Sequence, residues 1–268
     1  MAITPDHSSA LAKIDAVILA GGLGTRLRTQ LPDHQKVLAD INGEPLLAKL
    51  ISWLHHHGAR RMVLALGYQS QQVTDFLSHP GLPQDCQFIA SIEPEPRGTA
   101  GALRHALPHL TTDTVLVMNG DSFAPINLPA LLSQHRIAQA RITLGVCAQE
   151  NSGRFGTVTV SDVGEVTAFI EKPIPPPHPP TPSPTRGEGE YGAAGYISAG
   201  IYLMERSVIA AIPPNHKVSL ERDIFPQYVH RGLWALRQQV PFIDIGTPAS
   251  YQQRHHFFAS VHHEIIQP

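Results

Sequence analysis

The chain predicts an α/β protein built on a doubly wound, mostly parallel sheet, with a small antiparallel extension in its second half. Two patterns carry this. Up to about residue 140, short apolar runs alternate with amphipathic helical stretches, the rhythm of a parallel sheet covered by helices on both faces. Beyond that point strand patterns outnumber helical ones.

The elements follow in order. Ala16–Ala20, Met62–Leu66, Gln87–Ala90 and Val115–Met118 are runs of the length and composition of buried strands. Between them, Leu46–His56, Gln69–Leu77 and Thr99–Leu107 repeat apolar residues at helical spacing. Ile142–Ala148, Thr157–Val160, Val166–Ile170 and Tyr196–Met204 read as strands joined mostly by short turns. Pro173–Pro184 holds eight of the 24 prolines. Such a stretch has little to bury and cannot donate a regular ladder. Residues 173–192 are therefore expected to be a disordered, proline-rich insertion in a single domain of 268 residues.

Composition narrows the function. At 42% hydrophobic residues the chain can bury a sizeable core, and its formal net charge of −2 offers no broad basic surface for nucleic acid. Cys86 and Cys147 show neither metal-ligand spacing nor a disulfide framework, and are read as buried thiols of a reducing compartment. Met1–Lys13 lacks a signal pattern and no apolar run reaches membrane-spanning length, so the expectation is a cytoplasmic protein that does not meet a membrane. A homo-oligomer stays open. The 16 histidines include consecutive sets such as His55–His57. Consecutive helical side chains point about 100° apart, which disfavours a shared metal ion, so capping or solvated roles are expected.

The chemistry concentrates in V-I-L-A-G-G-L-G-T-R-L, residues 17–27. An apolar strand runs into Gly21, Gly22 and Gly24, where the absence of Cβ lets the backbone turn tightly and approach a ligand. Thr25 follows, and then Arg26, whose guanidinium fork suits phosphate oxygens. A dinucleotide loop would need a third glycine where Leu27 stands and an acidic residue closing the next strand. An ATP-binding P-loop would need Gly-Lys-Ser/Thr, which is missing. A loop holding a nucleoside triphosphate remains, beside a plain strand-to-helix turn that holds no ligand. In an open α/β sheet, ligands bind beyond the carboxyl ends of the strands. The glycine loop follows the first strand and Asn119-Gly120-Asp121 the fourth, so both fall on one edge.

These motifs resemble those of the sugar-1-phosphate nucleotidyltransferases, from about residue 14 to 258. The likeness runs in order through G-G-L-G-T-R-L with Lys36, E-P-E-P-R-G-T-A-G-A-L (93–103), N-G-D (119–121), G-R-F-G (153–156), E-K-P (171–173) and F-I-D-I-G-T-P (242–248). With S-L-E-R-D-I-F-P (219–226), the chain is most similar to the D-glycero-D-manno-heptose 1-phosphate guanylyltransferases. The resemblance implies the Rossmann-like fold of nucleotide-diphospho-sugar transferases, with a nucleotide-binding half at 14–140 and a sugar-phosphate-binding half at 141–258.

It also implies roles. Arg26, Lys36 and Asp121 would be catalytic. Leu19, Ala20, Gly21, Gly22, Gly24, Thr25, Gly98 and Thr99 would hold the nucleotide, and Gly156, Glu171, Lys172 and Ser198 the sugar phosphate. Asp121 and Asp244 would hold Mg²⁺, which takes one or two carboxylates plus phosphate and water oxygens. The family pattern has Pro before this Lys, where Gln35 stands here, and relatives often carry Asn where Ser198 stands. Substrates would be a nucleoside triphosphate, GTP foremost, and a sugar 1-phosphate. Thymidylyl or uridylyl transfer to a hexose 1-phosphate, a non-catalytic nucleotide-sugar sensor and a nicotinamide oxidoreductase are the alternatives.

Overall fold

The computed structural model describes residues 10–22, 24, 27, 34–149, 156–171 and 195–261. The chain runs β1 (Asp15–Ala20), β2 (Asp40–Ile41), β3 (Glu44–Pro45), α1 (Leu46–His56), β4 (Arg61–Leu66), α2 (Ser70–Leu77), β5 (Gln87–Ile92), α3 (Gly98–Ala106), β6 (Thr114–Asn119) and β7 (Ser122–Phe123). It continues with α4 (Leu128–Ile137), β8 (Ile142–Gln149), β9 (Thr157–Val160), β10 (Val166–Ile170) and β11 (Gly195–Glu205). The last elements are α5 (Arg206–Ala211), a π-turn at Leu220–Ile224, α6 (Phe225–Tyr228), β12 (Leu233–Gln238), β13 (Ile243–Asp244) and α7 (Pro248–Ser260).

Among the described residues, nine strands form one sheet. Its path is β10-β9-β11-β6-β1-β4-β5, with β8 paired to β11 and β12 paired to β8. β1 is parallel to both β4 and β6, and β4 is parallel to β5. The chain steps from β1 outward to β4 and β5, then returns to place β6 on the other side of β1. The strand order therefore reverses between β1 and β6, where open α/β sheets bind ligands.

Side-chain alternation explains the two-faced burial. Ala16, Ile18 and Ala20 of β1 point into one hydrophobic cluster with α1, α4 and α7, while Val17 joins the other with α3, α5 and α6. Both faces being covered, β1 has no polar stripe beyond Asp15 and reads as a continuous apolar run. Helix α1 buries Leu46, Leu47, Leu50, Ile51 and Leu54 on one side, and its chain exits through Gly58 at φ +92°.

Helix α1, β9 and β10 match the sequence expectation residue for residue. The antiparallel strands expected past residue 140 are present but do not form a separate layer. β11 pairs antiparallel with β6 through Ile201–Glu205 and so extends the main sheet. β12, unforeseen, lies parallel to β8. Helices α4, α5 and α7 were also unforeseen. The proline-rich insertion lies outside the described residues. Cys147 is buried as expected, whereas Cys86 is only half-buried. No helix among the described residues is long and apolar enough to cross a membrane.

Candidate active site

The reversal point is held tightly closed at its base. Leu19 lies opposite Asn119, and the Gly120 N–H donates to the Leu19 carbonyl at 2.9 Å. A Cβ on Gly120 would sit 2.8 Å from that same oxygen, so only glycine permits the two strand ends to come this close. Above this point opens a cavity of about 350 Å³. The structure brings Leu19, Ala20, Gly21, Gly22, Lys36, Gly98, Thr99 and Asp121 together around it. Gly24, at φ +58°, borders the Lys36 side chain. Thr25, Arg26 and Lys172 lie outside the described residues.

Asp121 follows β6, and Asp244 closes β13. The β13–β7 ladder sets Asp244 opposite Ser122, and the Ile245 N–H donates to the Asp121 carbonyl at 2.9 Å. Two acidic residues far apart in sequence thus become neighbours on adjoining strands. Lys36 lies between them, its Nζ 2.6 Å from Asp121 Oδ2 and 3.8 Å from Asp244 Oδ1. One ammonium thus engages both carboxylates. Hard carboxylate oxygens facing one cationic position fit a divalent ion such as Mg²⁺. Gly246 leaves the space: a Cβ there would lie 2.5 Å from Asp244 Oδ1 and 3.0 Å from Lys36 Nζ.

Gly156, Glu171 and Ser198 are not among the residues that line this cavity. Gly156 packs against Glu171, whose Oε2 would have to shift to admit a Cβ. Burial pushes the Glu171 carboxyl up, and the neighbouring Glu221 charge pushes the same way against Arg222. Ser198 Oγ and Asn119 Nδ2 both donate to the Tyr202 hydroxyl, at 3.4 and 3.5 Å. Thr99 lies in the first turn of α3, whose N-cap residue, Arg97, makes no side-chain cap hydrogen bond. The Thr99 hydroxyl donates to Glu221 Oε2 at 2.9 Å and accepts from the Leu220 N–H at 2.8 Å. Glu221 therefore ties the start of α3 to the Glu171 side.

Sequence reasoning gave no site role to four residues of this region. Gln35 and Lys217 line the cavity, and Glu93 does so with its carboxylate between Gly21 and Gly67. Glu93 Oε2 accepts the Arg97 N–H at 3.2 Å. Burial raises its pKa, with the Arg97 N–H and then the Arg97 charge opposing. Glu221 is the fourth. Glu93 and Glu221 sat inside quoted motifs, so a signal existed, but Lys217 reads as any loop lysine. The histidines bond within and between elements: His57 Nδ1 meets the Trp53 carbonyl one helical turn away, and His255 Nδ1 of α7 meets Asn42 of the β2–β3 turn. One grouping brings three candidate ligands together. Ligand atoms of His55, Asp85 and Cys86 lie within 4.8 Å of one another, although the Asp85 carboxylate already bonds His55 and the Arg60 guanidinium.

A triphosphate-sized cavity at the reversal point of a doubly wound sheet, with paired carboxylates at its rim, is the architecture of an enzyme that transfers nucleotidyl groups. Comparison with known proteins gives the family. The chain belongs to the nucleotidyl transferase family, whose sequence profile matches residues 15–261. It is 30% identical to the D-glycero-alpha-D-manno-heptose 1-phosphate guanylyltransferase of Campylobacter jejuni, over 89% of this chain and 97% of that one. It is also 30% identical to the mannose-1-phosphate guanylyltransferase of Mycobacterium tuberculosis, over 90% of this chain but 64% of the longer relative. Among solved structures, HddC from Yersinia pseudotuberculosis complexed with GMP-PN aligns with a TM-score of 0.74 and 27% identity, covering 91% of this chain and 99% of that one. The family assignment sets the nicotinamide reading aside.

Proposed function

We propose that this chain transfers a guanylyl group from GTP to D-glycero-D-manno-heptose 1-phosphate, releasing pyrophosphate and forming the GDP-sugar for surface polysaccharide. The observation that carries the reaction is the meeting of Asp121 and Asp244 around one cationic position at the cavity rim. Asp121 and Asp244 would hold Mg²⁺ there, which would supply charge neutralisation for the transferring phosphoryl oxygens. Lys36 adds a second positive charge beside them, and Arg26 is expected to face the β- and γ-phosphates. With little covalent chemistry to perform, the site works by placing the sugar phosphate in line with the α-phosphorus and by cationic stabilisation.

Glu93 favours guanine. Its buried carboxylate lines the cavity, and adjacent ring and amino N–H donors on the guanine edge suit a carboxylate acceptor. Thymine and uracil would turn a carbonyl toward it beside their single N–H. Gly156, Glu171, Lys172 and Ser198 are proposed to hold the sugar phosphate. Relatives named for the heptose and spanning the same length support that sugar. The cytoplasm, where nucleoside triphosphates and sugar phosphates occur together, is the proposed site of action.

The test is a pyrophosphate-release screen of GTP, ATP, CTP, UTP and dTTP against heptose, mannose and glucose 1-phosphates with Mg²⁺. GTP with the heptose phosphate is expected to give the highest kcat/KM. A preference for a pyrimidine triphosphate would overturn the guanine reading, and release with no pair would overturn the enzymatic one.

A further inference from the structure

Gln35 directly precedes Lys36 in the chain, and it is 2% exposed. A buried glutamine carries two donors and an acceptor that must all be satisfied. Each is used here. Nε2 donates to the Ala20 carbonyl at 3.1 Å and to the Tyr68 carbonyl at 2.6 Å. Oε1 accepts the Lys36 N–H at 2.8 Å, and the Gln35 N–H donates to Gln72 Oε1 at 2.8 Å. One side chain thus ties the end of β1, the β4–α2 connection and the backbone of Lys36 together, while the main-chain N–H reaches α2.

The backbone of Gln35 sits at φ −67° and ψ 126°; the first is the φ a proline ring would impose, and the second is extended backbone that proline also adopts. The side chain also caps the short 3-10 turn Lys36–Leu38. On the far side of Lys36, Val37 is buried. Lys36 is therefore pinned by a buried neighbour on each side, and its side chain, 13% exposed, is sent toward Asp121 and Asp244.

We infer that Gln35 is a positioning residue that fixes Lys36 at the two aspartates by hydrogen bonds, in place of the conformational restraint a proline would give. The inference rests on the reading of Lys36 as the lysine of the transfer site. It predicts that the backbone restraint, and not the amide itself, is what matters, so Gln35→Pro should preserve what Gln35→Ala loses.

The test has one arm that needs no substrate. Metal-free full-length protein is pulsed with an N-hydroxysuccinimide acetate reagent and Lys36 acetylation is followed by peptide mass spectrometry, with Lys49 as internal control. Gln35→Ala is expected to acetylate Lys36 at least about threefold faster than wild type, and Gln35→Pro close to the wild-type rate. In the turnover arm, Gln35→Ala should lose about tenfold in kcat with a KM for the sugar phosphate little changed, and Gln35→Pro should regain most of it. A folded Gln35→Ala with Lys36 as protected as in wild type overturns the inference. So does a folded Gln35→Pro with Lys36 as reactive as in Gln35→Ala, and so does failure of both variants to fold, which would make the role purely architectural. If labelling behaves as expected while wild type turns over no triphosphate, the enzymatic reading fails and the positioning role stands.

Discussion

Lys36 and Asp121, 85 positions apart in the chain, meet at 2.6 Å with the lysine ammonium lying between Asp121 and Asp244. The ammonium and a divalent ion would be drawn to the same oxygens. The carboxylates therefore have to be shared or exchanged when metal and substrate arrive, which makes them the most sensitive positions of the site.

Asp121→Asn and Asp244→Asn are each expected to lower kcat by about 10²–10³, the usual effect of removing one preorganised charge partner. The Mg²⁺ concentration for half-maximal rate should rise in both. The double variant should lose little more than the worse single one, because the pair acts as a unit. Pyrophosphate release across a Mg²⁺ series checks all three statements, and chelation with EDTA should abolish wild-type turnover.

Glu93→Gln is expected to weaken GTP binding by about 10- to 100-fold, corresponding to loss of a charge-assisted hydrogen bond of roughly 1.5–3 kcal/mol. The KM for the sugar phosphate should stay unchanged. Because burial holds the Glu93 carboxyl above the ordinary range, wild-type affinity for GTP should begin to fall with acid at a higher pH than an ordinary glutamate would give. Calorimetric titration of GTP from pH 7.5 downward should show this slope in wild type and a flat response in the variant.

Gly246→Ala should separate activity from stability. The added Cβ would press on Asp244 Oδ1 and Lys36 Nζ, so turnover should drop about tenfold or more. Gly246 is buried, but the atoms nearest an added Cβ belong to the Asp244 and Lys36 side chains and to no apolar core residue, so thermal melting should move by no more than a few degrees. A variant with unchanged kcat would show that the rim tolerates displacement.

Acid should destabilise the fold through His135. Its ring is 3% exposed, bonded to Thr143 and Glu205, and burial lowers its pKa below the ordinary 6.5, with Glu205 opposing. The folded state resists protonation that the unfolded chain accepts, so stability is present in full above about pH 6.5 and is lost as pH falls from there to the lowered folded value. Melting temperatures from pH 8 to 5 should show a downward slope that His135→Gln reduces.

Most of the first half of the chain was legible because parallel strands covered on both faces are all but continuous apolar runs, as in β1, β4 and β6. β12 escaped notice for the opposite reason. Its residues, L-W-A-L-R-Q, are largely good helix formers, and pairing with β8 overrides that preference. Helix α7 carried a legible start, the capping box of Thr247 and Ser250, but a weak apolar stripe behind it. The aspartate pair was legible by motif, yet its closeness depends on the β13–β7 ladder, two residues per strand. The reach of Gln35 to three separate segments is a product of tertiary folding and has no local signature.

Strand β11 constrains how the protein can move. Its Ile201–Glu205 stretch is laddered to β6, and its Gly195–Ser198 stretch to β8, with Tyr196 and Ile197 also bonded to β9. The one strand thus joins β6 to β8 and β9, with a register shift between Ser198 and Tyr202. A clamshell opening between them would have to tear backbone hydrogen bonds in the middle of the sheet. Catalytic gating therefore falls to the connections above the strand ends, and point changes in those connections, more than in the sheet, should set how fast product leaves.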